Sequence, residues 1–274
     1  MHNKKPTIYL VAVDMDGTLL HNDKSISDYT INVLRKIVEK GILLVPASGR
    51  PLNGMKAAVL NNVKGIKYAI CSNGAMLMDV PEEKSICETG ISTEKAVEAS
   101  AYLEQFPVAV YVHTDRGTFR AEGWEKTGLS EKYPYIRFSE GTVKNLGEFL
   151  RTSGVNVMKM GAYILTDELA QKLLEKGSLI PGIVFLRTGD GIIELNSIHA
   201  SKGNALCTLC KKLGISMENV LAIGDNENDI SMLQAAGISA AMENAEDDVK
   251  QAAKFVAGHN EEDGAAHFLE KWVL

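Results

Sequence analysis

The sequence predicts an α/β protein, a parallel sheet flanked by helices and interrupted by an inserted α+β domain. Three observations carry this reading. Short apolar, β-branched runs alternate with amphipathic stretches at both ends of the chain, the pattern of strands covered on both faces by helices. The middle of the chain breaks that alternation with mixed strand-like and helix-like runs around a polar, turn-rich stretch. Several apolar runs also end in Asp, Ser, Asn and Gly, at the strand tips where an open α/β sheet places its ligands.

The elements follow in order. Residues 7–13 form a short apolar run, predicted as a buried strand. Ser27-Asp28 is a helix N-cap signal, followed by Ile31, Leu34 and Val38 at helical spacing and by Gly41 as a stop. Residues 42–45 give a second strand, running into Ala47-Ser48-Gly49-Arg50-Pro51, with Pro51 suited to a first helical turn. Residues 68–71 give a third, ending in Ser72-Asn73-Gly74. In the middle, strands are predicted at 108–113, 158–165 and 183–186, and helices at 94–105 and 167–174. The insert is drawn over 82–188, between two hinge-like stretches, Pro81-Glu82-Glu83-Lys84 and Arg187-Thr188-Gly189-Asp190-Gly191. Alternation then resumes with a strand at 192–195, a helix at 203–213 stopped by Gly214, a strand at 220–223, a helix at 228–236 and a strand at 238–241. Residues 1–81 and 189–274 are thus expected to share one sheet.

Composition narrows the function classes. The 274 residues are 45% hydrophobic and 23% charged, ordinary for a globular protein. A net charge of −6 excludes a basic nucleic-acid footprint, and means that any phosphate site must be built locally. The apolar run after the N-terminal segment ends at Asp14 without a small-residue cleavage site and is not read as a signal peptide. No apolar run approaches the roughly 20 residues of a membrane span. Cys71, Cys87, Cys207 and Cys210 are too few for a disulfide scaffold and suit a reducing cytoplasm. Cys207 and Cys210 lie three apart in a helical pattern with no further ligand pair nearby, and are read as core packing.

Four motifs carry chemistry. Asp14-Met15-Asp16-Gly17-Thr18 puts two carboxylates at a strand exit, spaced so that one can attack and the other move a proton; a capped turn is the plainer alternative. Ser48-Gly49-Arg50 brings a hydroxyl and an amide to a helix start, a ready oxyanion contact or a common turn. Lys202 opens a helix, where a cation is poorly placed unless an anion lies beside it. Gly224-Asp225-Asn226-Glu227-Asn228-Asp229 is an oxygen-rich loop suited to Mg2+ or to capping a helix.

In this order the four motifs resemble the haloacid dehalogenase-like (HAD) phosphohydrolase superfamily, and the insert resembles its class-two (IIB) cap. The nearest group is the Cof-type, sugar-phosphatase-like branch, whose tail pattern is matched by Asn244-Ala245, Val249-Lys250 and Glu262-Asp263-Gly264. The resemblance implies a Rossmann-like core with an inserted cap that selects substrate. It implies a Mg2+-dependent phosphatase in which Asp14 is the nucleophile, Asp16 the acid and base, and Lys202 a charge-neutralising catalytic residue. Ser48, Gly49, Arg50, Asn73 and Asn228 would contact phosphate or substrate, and Asp14, Asp16, Asp225 and Asp229 would serve the metal. Asp16 stands where the superfamily's ATPase branch has Thr, which implies rapid turnover of the aspartyl-phosphate. Met15 replaces a frequent Leu and Ser48 a frequent Thr, both conservatively.

The expected partner is a small phosphorylated metabolite, with no nucleic acid and no membrane, in the cytoplasm; the oligomeric state is left open. A phosphomutase is the alternative, for which Arg116, Arg120, Arg137 and Arg151 would supply a second phosphate grip. A non-catalytic binding protein fits less well, because every motif residue is present. Trp124, Tyr133 and Tyr135 are read as lining a cap pocket or packing the cap, and His199 as a surface residue.

Overall fold

Leu10–Val13 is buried over its whole length, and one half of the molecule is built outward from it. In the computed structural model, which describes residues 7–123, 141–177, 180–188 and 191–274, this strand is β1. The others are β2 (Leu43–Pro46), β3 (Tyr68–Cys71), β4 (Met76–Asp79), β5 (Lys84–Glu88), β6 (Ala109–Thr114), β7 (Gly117–Ala121), β8 (Gly141–Val143), β9 (Val157–Tyr163), β10 (Ile183–Arg187), β11 (Ile192–Ser197), β12 (Val220–Gly224), β13 (Ile238–Ala241) and β14 (Phe255–Val256). The chain divides into two compact units, Met1–Cys87 with Ser201–Leu274, and Glu88–Ala200.

The first unit holds a parallel sheet in the order β14-β13-β12-β1-β2. Alternation along β1 explains its burial. Val11 and Val13 join Val33, Leu34 and Ile37 of the helix Asp28–Glu39 in one core layer. Leu10 and Ala12 join Ala205, Leu206 and Leu209 of the helix Lys202–Leu213 in the other. The caps agree with the sequence. Ser27 accepts from the Thr30 amide, and Gly41 and Gly214 sit at positive φ just past their helices. β3 meets the sheet through a parallel bridge between Ala47 and Ile70.

β3 then turns back as an antiparallel pair with β4, and β5 follows. The Pro81–Glu83 stretch, expected as a hinge, is therefore the turn between β4 and β5 of the first unit. Glu83 takes positive φ there, and its amide donates to the Val80 carbonyl.

The second unit carries a six-stranded sheet in the order β10-β11-β9-β6-β7-β8, antiparallel except for the β7–β8 pair. Its described helices, Thr93–Leu103, Leu146–Thr152 and Asp167–Gly177, bury Ala96, Leu103, Leu150 and Leu173 against Val110, Val112, Met160 and Ile193. Here the sequence reading needs correction. The strand at 192–195 was assigned to the parallel sheet; as β11 it pairs antiparallel with β9 and β10. The stretch from Arg187 to Gly191 connects two paired strands, and the Thr188 amide donates to the Ile192 carbonyl across it. The reason is the alternation in β10 and β11. Phe185 and Leu195 sit opposite each other in the core of the second unit, whereas a strand of the parallel sheet would be apolar on both faces. Trp124, Tyr133, Tyr135 and Arg137 lie outside the described residues. Among the described residues, no helix is long and apolar enough to cross a membrane.

Candidate active site

β1 and β12 are parallel neighbours, so their carboxyl ends open on the same edge of the sheet. Asp14 leaves β1 with its amide bonded to the Ile223 carbonyl, and β12 runs into Asp225. The Gly17 turn brings the two loops together. Its φ is +83°, and any Cβ there would collide with the Asp225 carboxylate. Thr18 donates its hydroxyl to Asp225 Oδ1 at 2.8 Å. The Gly and Thr of the first motif thus seat the acid of the fourth.

Lys202, at the first turn of its helix, has no exposed surface. Its Nζ donates to Asp14 Oδ1 at 2.5 Å and to Asp229 Oδ1 at 2.6 Å. The other Asp229 oxygen accepts from the amides of Asp225 and Asn226, at 3.0 and 3.1 Å. Asp229 therefore caps its own loop and holds Lys202 at once. Burial alone would depress the Lys202 pKa, but Asp14 and Asp229 outweigh it and raise it above the ordinary lysine value.

Oxygens of Asp14, Asp225 and Asp229 all lie within 4.8 Å of one another. One ammonium faces three carboxylates, so negative charge is left over. Burial first, and then repulsion from Asp229, pushes Asp225 up to about 6. Asp14 is 5% exposed, and burial drives it well above the usual carboxylate value, with Lys202 opposing and Asp229 adding. Such a cluster has a high affinity for a proton or a cation.

Asp16 faces elsewhere. Arg50 Nε donates to Asp16 Oδ2 and Arg50 Nη2 to Oδ1, each at 2.7 Å, and Lys24 Nζ lies 3.1 Å from Oδ1. Partial burial works to raise its pKa, but Arg50 and then Lys24 hold it below the ordinary carboxylate value. Arg50 was read from sequence as a phosphate contact; its pairing with Asp16, and any part for Lys24, had no signal in the spacing.

The remaining predicted residues form one chain of contacts. Ser48 is buried, and its Oγ accepts from the Arg50 amide on the far side of Gly49. The Ser48 carbonyl accepts from the Asn73 amide, and Asn73 Oδ1 accepts from Asn228 Nδ2 at 2.9 Å. Asn73 takes φ +58°, a left-handed turn conformation that Asn tolerates. Among the described residues, Asn228 Oδ1 is buried with no hydrogen-bond partner. Of the residues set aside, His199 is exposed, Cys210 is buried in the core and Cys207 is exposed.

Comparison with known proteins decides the family. Residues 11–269 match the model of the haloacid dehalogenase-like hydrolases. The chain belongs to this family. A 5-amino-6-(5-phospho-D-ribitylamino)uracil phosphatase of Bacillus subtilis, YcsE, is 31% identical over 97% of this chain and 96% of its own length. The pyridoxal phosphate phosphatase YbhA of Escherichia coli is 30% identical over 98% of this chain and its own full length, 100%. A solved HAD subclass IIB sugar phosphatase superposes with a TM-score of 0.79 at 25% identity, covering 96% of this chain and 98% of that one. The resemblance read from the four motifs and the α/β fold class are both borne out.

Proposed function

We propose that this HAD-like hydrolase is a Mg2+-dependent phosphatase that cleaves a small phosphorylated metabolite through an aspartyl-phosphate on Asp14. The observation that carries the reading is the buried Lys202 bridging Asp14 and Asp229 at the tip of β1. A carboxylate fixed at a strand end beside a permanent cation is oriented to attack, and that cation opposes the effect of burial on its charge.

The residues divide the work. An Asp14 oxygen attacks phosphorus while the ester oxygen departs and takes a proton from Asp16. Asp16 then removes a proton from water, which attacks the phosphorus, frees the Asp14 carboxylate and yields inorganic phosphate. Held by Arg50 and Lys24, Asp16 rests in the base form that the second half-reaction needs. Donation in the first half requires Arg50 to turn from it. Lys202 offsets charge on Asp14 and the phosphoryl oxygens, while Ser48 and the amides near Gly49 hold another oxygen.

The donor set fits Mg2+, a hard cation that takes one or two carboxylates and keeps waters. Asp14 and Asp225 would hold it with the Asp16 carbonyl, and the unpartnered Asn228 Oδ1 suits a metal-bound water. Asp229, with both oxygens engaged, would support the site through Lys202. Bound there, Mg2+ would offset the negative charge that the phosphate brings to Asp14.

The second unit, in this reading, acts as the cap that chooses the substrate. The two named relatives act on different phosphomonoesters, so the shared motifs fix the reaction and leave the leaving group to other residues. Cys71, Cys87, Cys207 and Cys210 form no disulfide among the described residues, and four free thiols suit a reducing cytoplasm. The test is phosphate release across a panel of phosphorylated metabolites, with and without chelator, beside Asp14→Asn. Release that depends on Mg2+ and disappears in the variant supports the reading. No release by folded, Mg2+-loaded wild type overturns it.

A further inference from the structure

The tail of the chain carries residues that the mechanism leaves unused, and they close on the loop that presents Asp16. That loop leaves β1 and turns twice. The Leu20 amide donates to the Met15 carbonyl at 2.8 Å and closes the first turn. The second runs from His21 to Ser25, with the His21 amide on the Ser25 carbonyl and the Lys24 amide on the His21 carbonyl, each at 2.9 Å. Lys24 takes φ +69° there, uncommon for a residue other than glycine, and its Nζ reaches Asp16. The tail holds both turns. Asn244 Nδ2 donates to the Gly17 carbonyl at 2.9 Å, and Asn244 Oδ1 accepts from the Asn260 amide at 3.1 Å. Asn260, only 2% exposed, donates from Nδ2 to the Leu20 carbonyl at 3.0 Å and to Asn22 Oδ1 at 3.3 Å. Glu261 Oε1 accepts from the Asn22 amide at 2.6 Å. Asp263 Oδ1 accepts from the hydroxyls of Ser27 and Thr30, at 2.6 and 2.8 Å, where the loop enters its helix.

We propose that Asn244, Asn260 and Glu261 are positioning residues that set the Asp16 carboxylate for proton transfer, above all in hydrolysis of the aspartyl-phosphate. This rests on the phosphatase reading above and deepens it. Arg50 has to turn from Asp16 in the first half-reaction, so the side-chain fork does not keep the carboxylate in place throughout. The backbone has to do so. Gly17, next to Asp16, has no Cβ and is the freest joint of the loop; Asn244 ties down its carbonyl. Leu20 bridges back to Asp16, and Asn260 ties down the Leu20 carbonyl. Glu261 anchors the turn from which Lys24 reaches Asp16. A misplacement of about 1 Å in a reacting group costs up to about 100-fold in rate. Among the described residues, none of the three is hydrogen-bonded to Asp14, Ser48, Lys202 or Asp225, so their influence runs through the Asp16 loop.

Asn244 and Glu261 are exposed, so substitution there tests placement without opening the core. Asn244→Ala, Glu261→Ala and the conservative Glu261→Gln, which keeps an acceptor for the Asn22 amide, are set beside wild type in the full chain at saturating Mg2+. Melting temperatures stay within about 4 °C of wild type. The leaving group of p-nitrophenyl phosphate needs no proton, so kcat/KM on that ester reports attack by Asp14 and kcat reports the later hydrolysis, which needs Asp16. The expected result in both alanine variants is a loss of about 10-fold in kcat on p-nitrophenyl phosphate, with kcat/KM within about threefold of wild type. More of the acid-quenched chain then carries a phosphoryl group on the Asp14 peptide. On the best alkyl phosphate of a panel, whose leaving group does need the proton, kcat/KM falls by about 10-fold as well. Glu261→Gln keeps kcat within about twofold of wild type. Equal losses in kcat and kcat/KM on p-nitrophenyl phosphate would make the contacts merely structural and overturn the proposal. So would an unchanged kcat in Asn244→Ala, or a Glu261→Gln as slow as Glu261→Ala. A wild type inactive on every ester fails the phosphatase reading itself, and this inference falls with it.

Discussion

Arg50 grips Asp16 with two parallel hydrogen bonds, Nε to Oδ2 and Nη2 to Oδ1, each 2.7 Å long. Burial works to raise the Asp16 pKa, and the Arg50 fork, with Lys24, outweighs it and keeps the carboxylate charged. In Arg50→Gln the Asp16 pKa rises toward its ordinary value, because the main group that lowers it is gone. Both roles assigned to Asp16 follow its pKa, the base on the acidic limb and the acid on the basic limb. The pH profile of kcat/KM therefore moves to higher pH in the variant. An unmoved profile would remove Asp16 from proton transfer.

Among the described residues, Lys202 is the one cation hydrogen-bonded to two buried carboxylates of the site. Lys202→Met leaves Asp14 and Asp229 buried without it and costs about 3–5 kcal/mol of stability in denaturant unfolding, together with the activity. Lys202→Arg restores charge but not shape, because a planar guanidinium does not fit where a point charge meets two oxygens. Activity in that variant remains near that of Lys202→Met.

Gly17→Ala acts on Asp225 from across the loop. The left-handed φ strains any Cβ, and that Cβ meets the Asp225 carboxylate. The variant loses about 1–3 kcal/mol of stability. The expected outcome in calorimetric titration is weaker Mg2+ binding than in wild type, with Asp225 pushed from its place; equal binding would contradict it.

His113 gives the second unit a pH signature. Its folded pKa lies well below 6.5, by removal from water and the Lys159 charge. The unfolded chain therefore takes up a proton that the folded one refuses. Stability is complete above about pH 6.5 and falls as pH drops below it, by about 1.4 kcal/mol per pH unit until the folded group itself titrates. In His113→Gln that slope is absent, and the difference between the two unfolding curves from pH 7 to pH 5 measures it.

The parallel sheet was legible because its signals are local. Ser27 caps a helix, Gly41 and Gly214 end helices, and the runs leading to Asp14 and Asp225 are apolar throughout. Asp14, Lys202, Asp225 and Asp229 could be named because each ends a strand or opens a helix, and parallel strands gather such ends on one edge. β4 and β5 escaped notice because Pro81 and Glu83 look like a linker and act as a turn. β11 belongs to the other sheet, which its first four residues, three of them apolar, do not reveal because they do not say which faces are covered. The Arg50–Asp16 pair and the hold of Asn244 on Gly17 depend on contacts between residues distant in sequence, which no spacing rule encodes.

The central claim is a covalent phosphoryl group on Asp14. The most direct measurement is a rapid acid quench of Asp16→Asn mixed with p-nitrophenyl phosphate, whose leaving group needs no proton, followed by mass mapping of the peptides. The account predicts a phosphorylated peptide containing Asp14 that accumulates in Asp16→Asn, turns over in wild type and is absent from Asp14→Asn. Phosphate release by wild type with no phosphorylated peptide in Asp16→Asn, or with the label on another residue, would contradict it.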